Sequence, residues 1–248
     1  MSKDDKTAAL VLAAGKGTRM KSDLAKVLHP VCGRPMLAYV LDCAREVGVE
    51  RIVVVVGHQA KEVRRAFADD DLVFVEQERQ LGTGHAVLQA AGAFDGYRGD
   101  VLILCGDVPL LRPATLRSLL DDHRRQGAAV TVMTVFLDDP GSYGRVLRDA
   151  DGSVRGIVEA RDCTGRELAV GEINTGIYCA DASFLFDAVG RIGNDNAQGE
   201  YYLTDIMAIA HSSGLKTAAF VAPDPREVMG INTPEDLAEA ERIRCGGG

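Results

Sequence analysis

Nowhere in these 248 residues does an apolar run approach the ~20 needed to cross a bilayer as a helix. Met1 to Thr7 is short and charged, unlike a signal peptide or an anchor. Positive charge is also scarce. Lys and Arg number 28 against 36 Asp and Glu, and the net charge of −8 argues against a general nucleic-acid binder, which needs a basic face. The cysteines Cys32, Cys43, Cys105, Cys163, Cys179 and Cys245 form no C-x-x-C pair, so neither a zinc site nor a disulfide framework is expected. Several lie in apolar runs, where a free thiol packs as a small hydrophobe. A soluble protein of a reducing cytoplasm, with neither membrane nor nucleic acid as partner, is the expectation. There is no internal repeat and no low-complexity linker, and the closing Gly246-Gly247-Gly248 is too short to carry a function. With 46% hydrophobic and 26% charged residues, the chain suits one large α/β domain, or a core with a lobe added.

Strand-like and helical patterns alternate through the first half. Ala8–Leu12 and the β-branched run Ile52–Val56 read as buried parallel strands, with Leu72–Val75, Val101–Cys105 and Ala129–Leu137 continuing the series. Between them, Met36, Leu37, Val40, Leu41, Ala44 and Val47 recur at helical spacing until Gly48. Ala60–Ala68 and Gly84–Ala91 read as short helices, and Pro113 opens a helix running to Gln126. This β-α-β-α order predicts a Rossmann-like α/β fold, its mostly parallel sheet covered by helices on both faces. After Pro140 the rhythm changes. Arg145–Leu147, Val154–Glu159 and Ile173–Cys179 are short strand-like pieces among Gly141, Gly144, Gly152 and Gly156, which predicts a small antiparallel add-on. Helices near Ala182–Val189 and Thr204–Ser213, a strand at Thr217–Val221 and a helix from Thr233 complete the chain.

In open α/β sheets ligands sit at the carboxyl ends of strands, and three motifs fall there. The first runs Leu12-Ala13-Ala14-Gly15-Lys16-Gly17-Thr18-Arg19-Met20, with Lys26 one loop away. Glycines let backbone N–H groups approach an anion, and Arg19 and Lys26 add charge, so a phosphate cradle is the functional reading. The spacing is neither the P-loop's G-x-x-x-x-G-K-[ST] nor the dinucleotide fingerprint G-x-G-x-x-G. A plain βα turn would also account for Gly-Lys-Gly alone. The second motif, Cys105-Gly106-Asp107-Val108-Pro109-Leu110, puts a carboxylate at a strand end, as Mg²⁺ beside phosphates requires; a helix-capping Asp is the structural alternative. The third runs from Gln77 to His85. Gln77 offers both donor and acceptor to a base edge, and Gly82 and Thr83 allow close backbone approach. His85 reads as helix-start packing rather than as a catalytic group.

The first motif resembles the L-x-A-G-x-G-T-R-(x)n-P-K signature of the sugar-1-phosphate nucleotidyltransferases. Over the whole chain the resemblance narrows to the uridylyltransferase domains of the bifunctional N-acetylglucosamine-1-phosphate uridyltransferases. It is carried in order by Gln80–Ala86, Tyr143-Gly144-Arg145, Gly156–Glu159, Glu172–Gly176, Asn196–Asp205 and Gly230-Ile231-Asn232. The resemblance implies a nucleotide-diphospho-sugar transferase fold forming one nucleotidyltransferase domain, with a nucleotide-binding part over about 7–138 and a sugar-binding part over about 139–248. It implies that Leu12, Ala13, Ala14, Gly15, Gly82, Thr83 and Gly106 line the nucleotide and that Gln77 reads uracil. Arg19 and Lys26 would contact the triphosphate as the catalytic cations. Gly144, Glu159 and Asn174 would hold the sugar, with Tyr202 and Thr204 near its N-acetyl group. Asp107 and Asn232 would bind Mg²⁺, and Asn232 would border the sugar. Glu159 and Asn174 on their own read as solvated strand residues.

Three positions depart from the family's pattern. Ala25 stands where proline usually precedes the lysine, Arg161 where some members have lysine, and Cys105 where some have tyrosine. The left-handed β-helix acetyltransferase half of those proteins is absent from these residues, which leaves the oligomeric state open. The implied reaction joins UTP and N-acetyl-α-D-glucosamine 1-phosphate into UDP-N-acetylglucosamine and pyrophosphate. The same chemistry on glucose 1-phosphate is one alternative, and a non-catalytic sugar-nucleotide sensor is another. A sensor would be expected to have lost Arg19, Lys26 or Asp107, and all three are present.

Overall fold

A computed structural model describes residues 6–68 and 71–246, so Met1–Asp5 and Gly247-Gly248 of the two terminal readings lie outside the described residues. Four parallel strands open the sheet: β1 (Thr7–Ala13), then β4 (Arg51–Val56), β5 (Val73–Glu76) and β6 (Asp100–Cys105). The two-residue strands β2 (Pro30–Val31) and β3 (Arg34–Pro35) form a separate hairpin that leads into helix α1 (Met36–Val47). Helices α2 (Ala60–Ala66), α3 (Thr83–Gln89) and α4 (Pro113–Gln126) make the crossovers, followed by β7 (Val130–Phe136). The second half carries β8 (Arg145–Arg148), β9 (Val154–Val158), the short helix α5 (Gly165–Leu168), β10 (Glu172–Asp181) and α6 (Ala182–Val189). Helix α7 (Asp205–Ser212), β11 (Thr217–Val221) and α8 (Pro234–Cys245) end the chain.

The strands order as β11-β7-β10-β6-β1-β4-β5, with β8 and β9 attached at the side of β10. β1 pairs parallel with both β4 and β6, so the connections leave it in opposite directions and the sheet switches direction there. Its central residues Ala8 to Val11 are buried on both faces, as a strand covered by helices on two sides must be. One apolar layer under α1 and α4 and another under α3, α6 and α7 pack against these faces. Among the described residues no helix is long and apolar enough to cross a membrane.

Two features differ from the sequence expectation. The piece read as Ile173–Cys179 of an add-on is one ten-residue strand, β10, running antiparallel between β6 and β7 inside the main sheet. Only its start touches the add-on, where Ile173 faces Arg145 of β8. The glycines suggested a separate unit, but Ile177, Tyr178, Cys179 and Ala180 are fully buried, and a central slot is where such residues can be covered on both faces. The second correction concerns the cysteines. Cys32 in the β2–β3 turn and Cys245 at the end of α8 are joined by a disulfide across 213 residues, with Cα atoms 6.2 Å apart. The cause is packing. Val31, Met36 and Tyr39 share an apolar cluster with Ile231 and Ala240, laying α8 along the hairpin. Cys43, Cys105, Cys163 and Cys179 are free thiols.

Candidate active site

At the switch, Leu12 of β1 lies opposite Cys105 of β6, and the Gly106 N–H donates to the Leu12 carbonyl at 2.9 Å. The Gly15 loop and Asp107 therefore leave the sheet side by side. The loop folds through a left-handed Gly17 (φ 62°), where a Cβ would stand 2.7 Å from the Lys26 Cβ. Only glycine lets the turn close over the lysine stem. Ala25, in place of proline, has φ −53° and is buried. Its backbone already holds a proline-like angle without the ring.

Four polar side chains from distant segments meet here. Lys26 Nζ lies 2.5 Å from Asp107 Oδ2 and 2.8 Å from Asn232 Oδ1, and Arg19 Nη2 donates to the same Asn232 oxygen at 2.8 Å. Asn232 is held by its own neighbours: its N–H donates to Asp236, and its side-chain amide donates to the Gly230 carbonyl. Thr233 then caps α8, with Asp236 bonding back to the cap in a capping box. The Ile231 N–H reaches the Asp107 carbonyl at 2.9 Å, tying the two segments together. The Asp107 and Asn232 oxygens thus converge on one cationic centre, the ammonium of Lys26. A hard-oxygen pair closing on a positive charge fits a divalent cation as well as an ammonium.

Beside this centre a cavity of about 280 Å³ is lined by Leu12, Ala14, Gly15, Gln77, Gln80, Gly82, Thr83, Ala86, Cys105, Asp107 and Glu200. Ala13 does not line it. Its side chain points to the opposite face of β1 and packs in the core, as strand alternation requires. Gly106 does not line it either; a Cβ there would meet the Leu12 carbonyl oxygen, Val27 and Leu37. Gly82 has φ 111°, and a Cβ there would stand 2.5 Å from the Tyr201 carbonyl oxygen. The 81–84 turn is stitched to the 201–203 segment by three bonds: Tyr201 N–H to Leu81, Gly84 N–H to Tyr201, and Leu203 N–H to Thr83 Oγ1. Cys105 borders the cavity as a neutral thiol, its pKa pushed up to about 12 by burial. Gln77 is buried, its side-chain nitrogen 3.0 Å from the Gly82 oxygen and 2.9 Å from His85 Nδ1. His85, expected to serve only in packing, is thus bonded to the base-reading candidate.

The sugar-side candidates gather on β8–β10 and before α7. Gly144 accepts from Asn174 N–H at 2.9 Å, and a Cβ on Gly144 would sit 3.4 Å from Glu159 Oε2. Thr204 Oγ1 donates to Glu159 Oε1 at 3.2 Å. Asn174 Oδ1 accepts from Gly176 N–H, where β10 bulges against β7. Burial raises the Glu159 carboxyl above its ordinary range, while the Thr204 bond pulls the other way. Asp205 is likewise raised, by burial and then by the charge of Asp162. The Tyr202 hydroxyl receives from Gln198 at 2.9 Å and donates to Asp162 at 3.2 Å, and Asp162 also accepts from the Ala197 N–H. Glu159, Asp162, Asn196, Tyr202 and Asp205 border a second cavity of about 330 Å³. Asp162 carried no motif signal, and Gln198 stood in the Asn196–Asp205 motif without an assigned role; their contacts with Tyr202 identify both. Arg145 is buried and donates to the Tyr143 and Gly141 carbonyls, fixing the turn that presents Gly144. A larger cavity, about 560 Å³, lies by Lys216 and Thr217 at the opposite, amino end of β11; there Arg148 is already paired with Glu172.

Known proteins resemble this chain along most of its length. Residues 9–150 match the family model described as the MobA-like NTP transferase domain. The bifunctional protein GlmU of Geobacter metallireducens is 59% identical over 237 residues, which is 95% of this chain and 50% of that protein. The Geobacter sulfurreducens protein of the same name is 56% identical over 96% of this chain and 50% of its own length. In Desulfotalea psychrophila the bifunctional protein GlmU is 47% identical, covering 97% of this chain and 71% of that protein. The chain spans about half the length of the first two relatives. A solved structure of UDP-glucose pyrophosphorylase complexed with UDP-glucose superposes with a TM-score of 0.78, over 98% of this chain and 100% of that one. At 17% identity that likeness concerns the fold.

Proposed function

Because the chain belongs to the MobA-like NTP transferase family, and to the GlmU proteins within it, we propose that it transfers UMP from UTP to N-acetyl-α-D-glucosamine 1-phosphate, giving UDP-N-acetylglucosamine and pyrophosphate. The observation that carries this reading is the convergence of Arg19, Lys26, Asp107 and Asn232 at the switch point of the sheet. The four come from separate segments, and together they offer cations and hard oxygen donors at one spot, as triphosphate chemistry demands.

The sugar-phosphate oxygen is the nucleophile and attacks the α-phosphorus in line. It is already anionic, so no general base is required, and catalysis rests on positioning and charge. The Gly15 loop offers backbone to the triphosphate, and Arg19 and Lys26 neutralise charge growing on the departing pyrophosphate. Asp107 and Asn232 would hold Mg²⁺. When bound, the ion supplies charge neutralisation shared by the two phosphate groups. Gln77, Gly82 and Thr83 form the wall for the uracil. On the acceptor side Gly144, Glu159 and Asn174 take the sugar hydroxyls. Tyr202, its hydroxyl already bonded, offers its ring to the acetyl group beside Thr204. In functional terms the single domain divides into a nucleotide part over about 7–138 and a sugar part over about 139–248. The two parts share one sheet, since β10 and β11 flank β7.

A pyrophosphate-release assay over a panel of nucleoside triphosphates and sugar 1-phosphates tests the reading. UTP with N-acetylglucosamine 1-phosphate should be the best pair. Glucose 1-phosphate should turn over poorly but measurably, because loss of the acetyl group leaves an unfilled pocket and no clash. Equal turnover of the two sugars would overturn the named substrate.

A further inference from the structure

The contacts of Gln77 determine which way its amide faces. An amide oxygen and nitrogen have nearly the same shape, but only the nitrogen can face the Gly82 carbonyl oxygen at 3.0 Å, since that oxygen has no proton to give. The same nitrogen lies 2.9 Å from His85 Nδ1. Both N–H bonds of the amide are therefore committed, one to the main chain and one to the imidazole. For His85 this fixes the tautomer: Nδ1 accepts, so the ring is neutral and its proton sits on Nε2. Nε2 lies 3.3 Å from the exposed Gln89 amide, which can turn its oxygen to receive that proton. Burial lowers the pKa of the ring and keeps it neutral. The groups facing it are Gln77, Gln89 and the Tyr201 ring, whose centroid is 6.2 Å away; among the described residues no carboxylate pairs with it. Gln77 Oε1 receives no hydrogen bond among the described residues, and Gln77 lines the cavity assigned to the base.

We propose that His85 is the positioning residue that makes this site select uracil, by committing the second Gln77 N–H beside the one held by the Gly82 carbonyl and so leaving only Oε1 for the base. An acceptor there pairs with the N3–H of uracil or thymine. Cytosine presents a lone pair at N3, so two acceptors would face each other in a buried place. Without the imidazole one N–H is released, and the amide can turn it towards cytosine. The inference rests on the reading that this cavity takes the base of a nucleoside triphosphate. His85 itself touches no substrate.

The test compares wild type, His85→Phe and His85→Asn by the ratio of kcat/KM for UTP over CTP. Calorimetric Kd values for both nucleotides give a readout apart from turnover. Asn can place its carbonyl oxygen where Nδ1 stands, whereas Phe keeps the ring but has no acceptor. His85→Phe should lower the UTP/CTP ratio by about tenfold or more, as expected when one buried hydrogen-bonding arrangement is lost. His85→Asn should restore most of the ratio, and KM for the sugar phosphate should stay unchanged in both variants. A wild-type ratio retained by His85→Phe overturns the inference. Should His85→Phe fail to fold, His85→Ala takes its place, and a wild-type ratio retained there overturns the inference equally. A wild-type protein that neither binds nor turns over UTP would instead overturn the proposed function.

Discussion

Arg19, Lys26, Asp107 and Asn232 form a closed set of hydrogen bonds in which each polar group already has a partner of opposite character. Such a set is preorganised, and its members can be separated by kinetics. Asp107→Ala should cut turnover by at least ~10²-fold, which is several kcal/mol of lost charge stabilisation. Steady-state assays with and without EDTA check this, and activity that survives EDTA would remove the metal from the account. Arg19→Ala should lower kcat more than it raises KM for UTP, because the charge it meets grows in the transition state. The opposite split would make Arg19 a residue of uniform binding. Ala25 supplies a stability test at the same site. With φ at −53° and none of the described hydrogen bonds using its N–H, Ala25→Pro should stabilise the fold by about 0.4–1 kcal/mol through the unfolded chain. Chemical denaturation measures that gain, and a loss would show that the loop needs a freer backbone at this point.

Helix α8 is the element on which Asn232 depends. Its capping box fixes where the helix begins, its apolar face rests on the β2–β3 hairpin, and Cys245 anchors its far end to Cys32. Both cysteines are exposed, so a reductant can reach the bond. Closing a loop of 213 residues removes much freedom from the unfolded chain. Reductant should therefore lower the Tm of the wild type and leave that of Cys245→Ser unmoved. Thermal scans with and without dithiothreitol decide the matter, and identical wild-type curves would mean the bond adds nothing to stability.

At the scale of the molecule, the site draws on stability supplied by the rest of the sheet. Burial favours the protonated form of Glu159 and raises its carboxyl above the ordinary range. A carboxyl whose folded pKa is raised adds stability below its unfolded pKa, about 4.3 for Glu, and loses it as pH rises through the higher folded value. Glu159→Gln should thus have a Tm at pH 7 at least equal to that of the wild type, with the advantage shrinking towards about pH 4. Sugar-phosphate binding should weaken in the same variant. Thermal denaturation at the two pH values, beside a binding isotherm, checks both halves. A Tm that falls at pH 7 would show that Glu159 is held by favourable partners. Asp100, at the opposite end of the sheet, shows the contrast. Burial alone would raise it, but hydrogen bonds from His123 and Arg124 hold it below the ordinary range, so its contribution is lost only as pH falls.

What the residues decide by themselves here is local. Pro113 and Gly127 bound α4 because one presets the helical φ and the other adopts the left-handed cap, and both effects act within a turn. Five β-branched residues make β4, and Gly48 stops α1, for equally short-range reasons. The Gly15–Arg19 loop and Asp107 were legible because a strand end and its turn are contiguous in the chain. Other features depend on packing between segments far apart. The place of β10 in the main sheet follows from the need to cover Tyr178 and Cys179 on both faces, whereas the glycines that precede it in the chain pointed elsewhere. The Cys32–Cys245 bond follows from α8 lying on the hairpin, which no cysteine spacing encodes. Asn232 was carried by resemblance alone, and its 2.8 Å approach to Lys26 appears only when α8 docks. The sense of the Gln77 amide is likewise tertiary, for it is set by a carbonyl and an imidazole that the 81–85 turn brings back upon it. Hydrogen-bond polarity is a property of pairs, and a sequence names only one partner at a time.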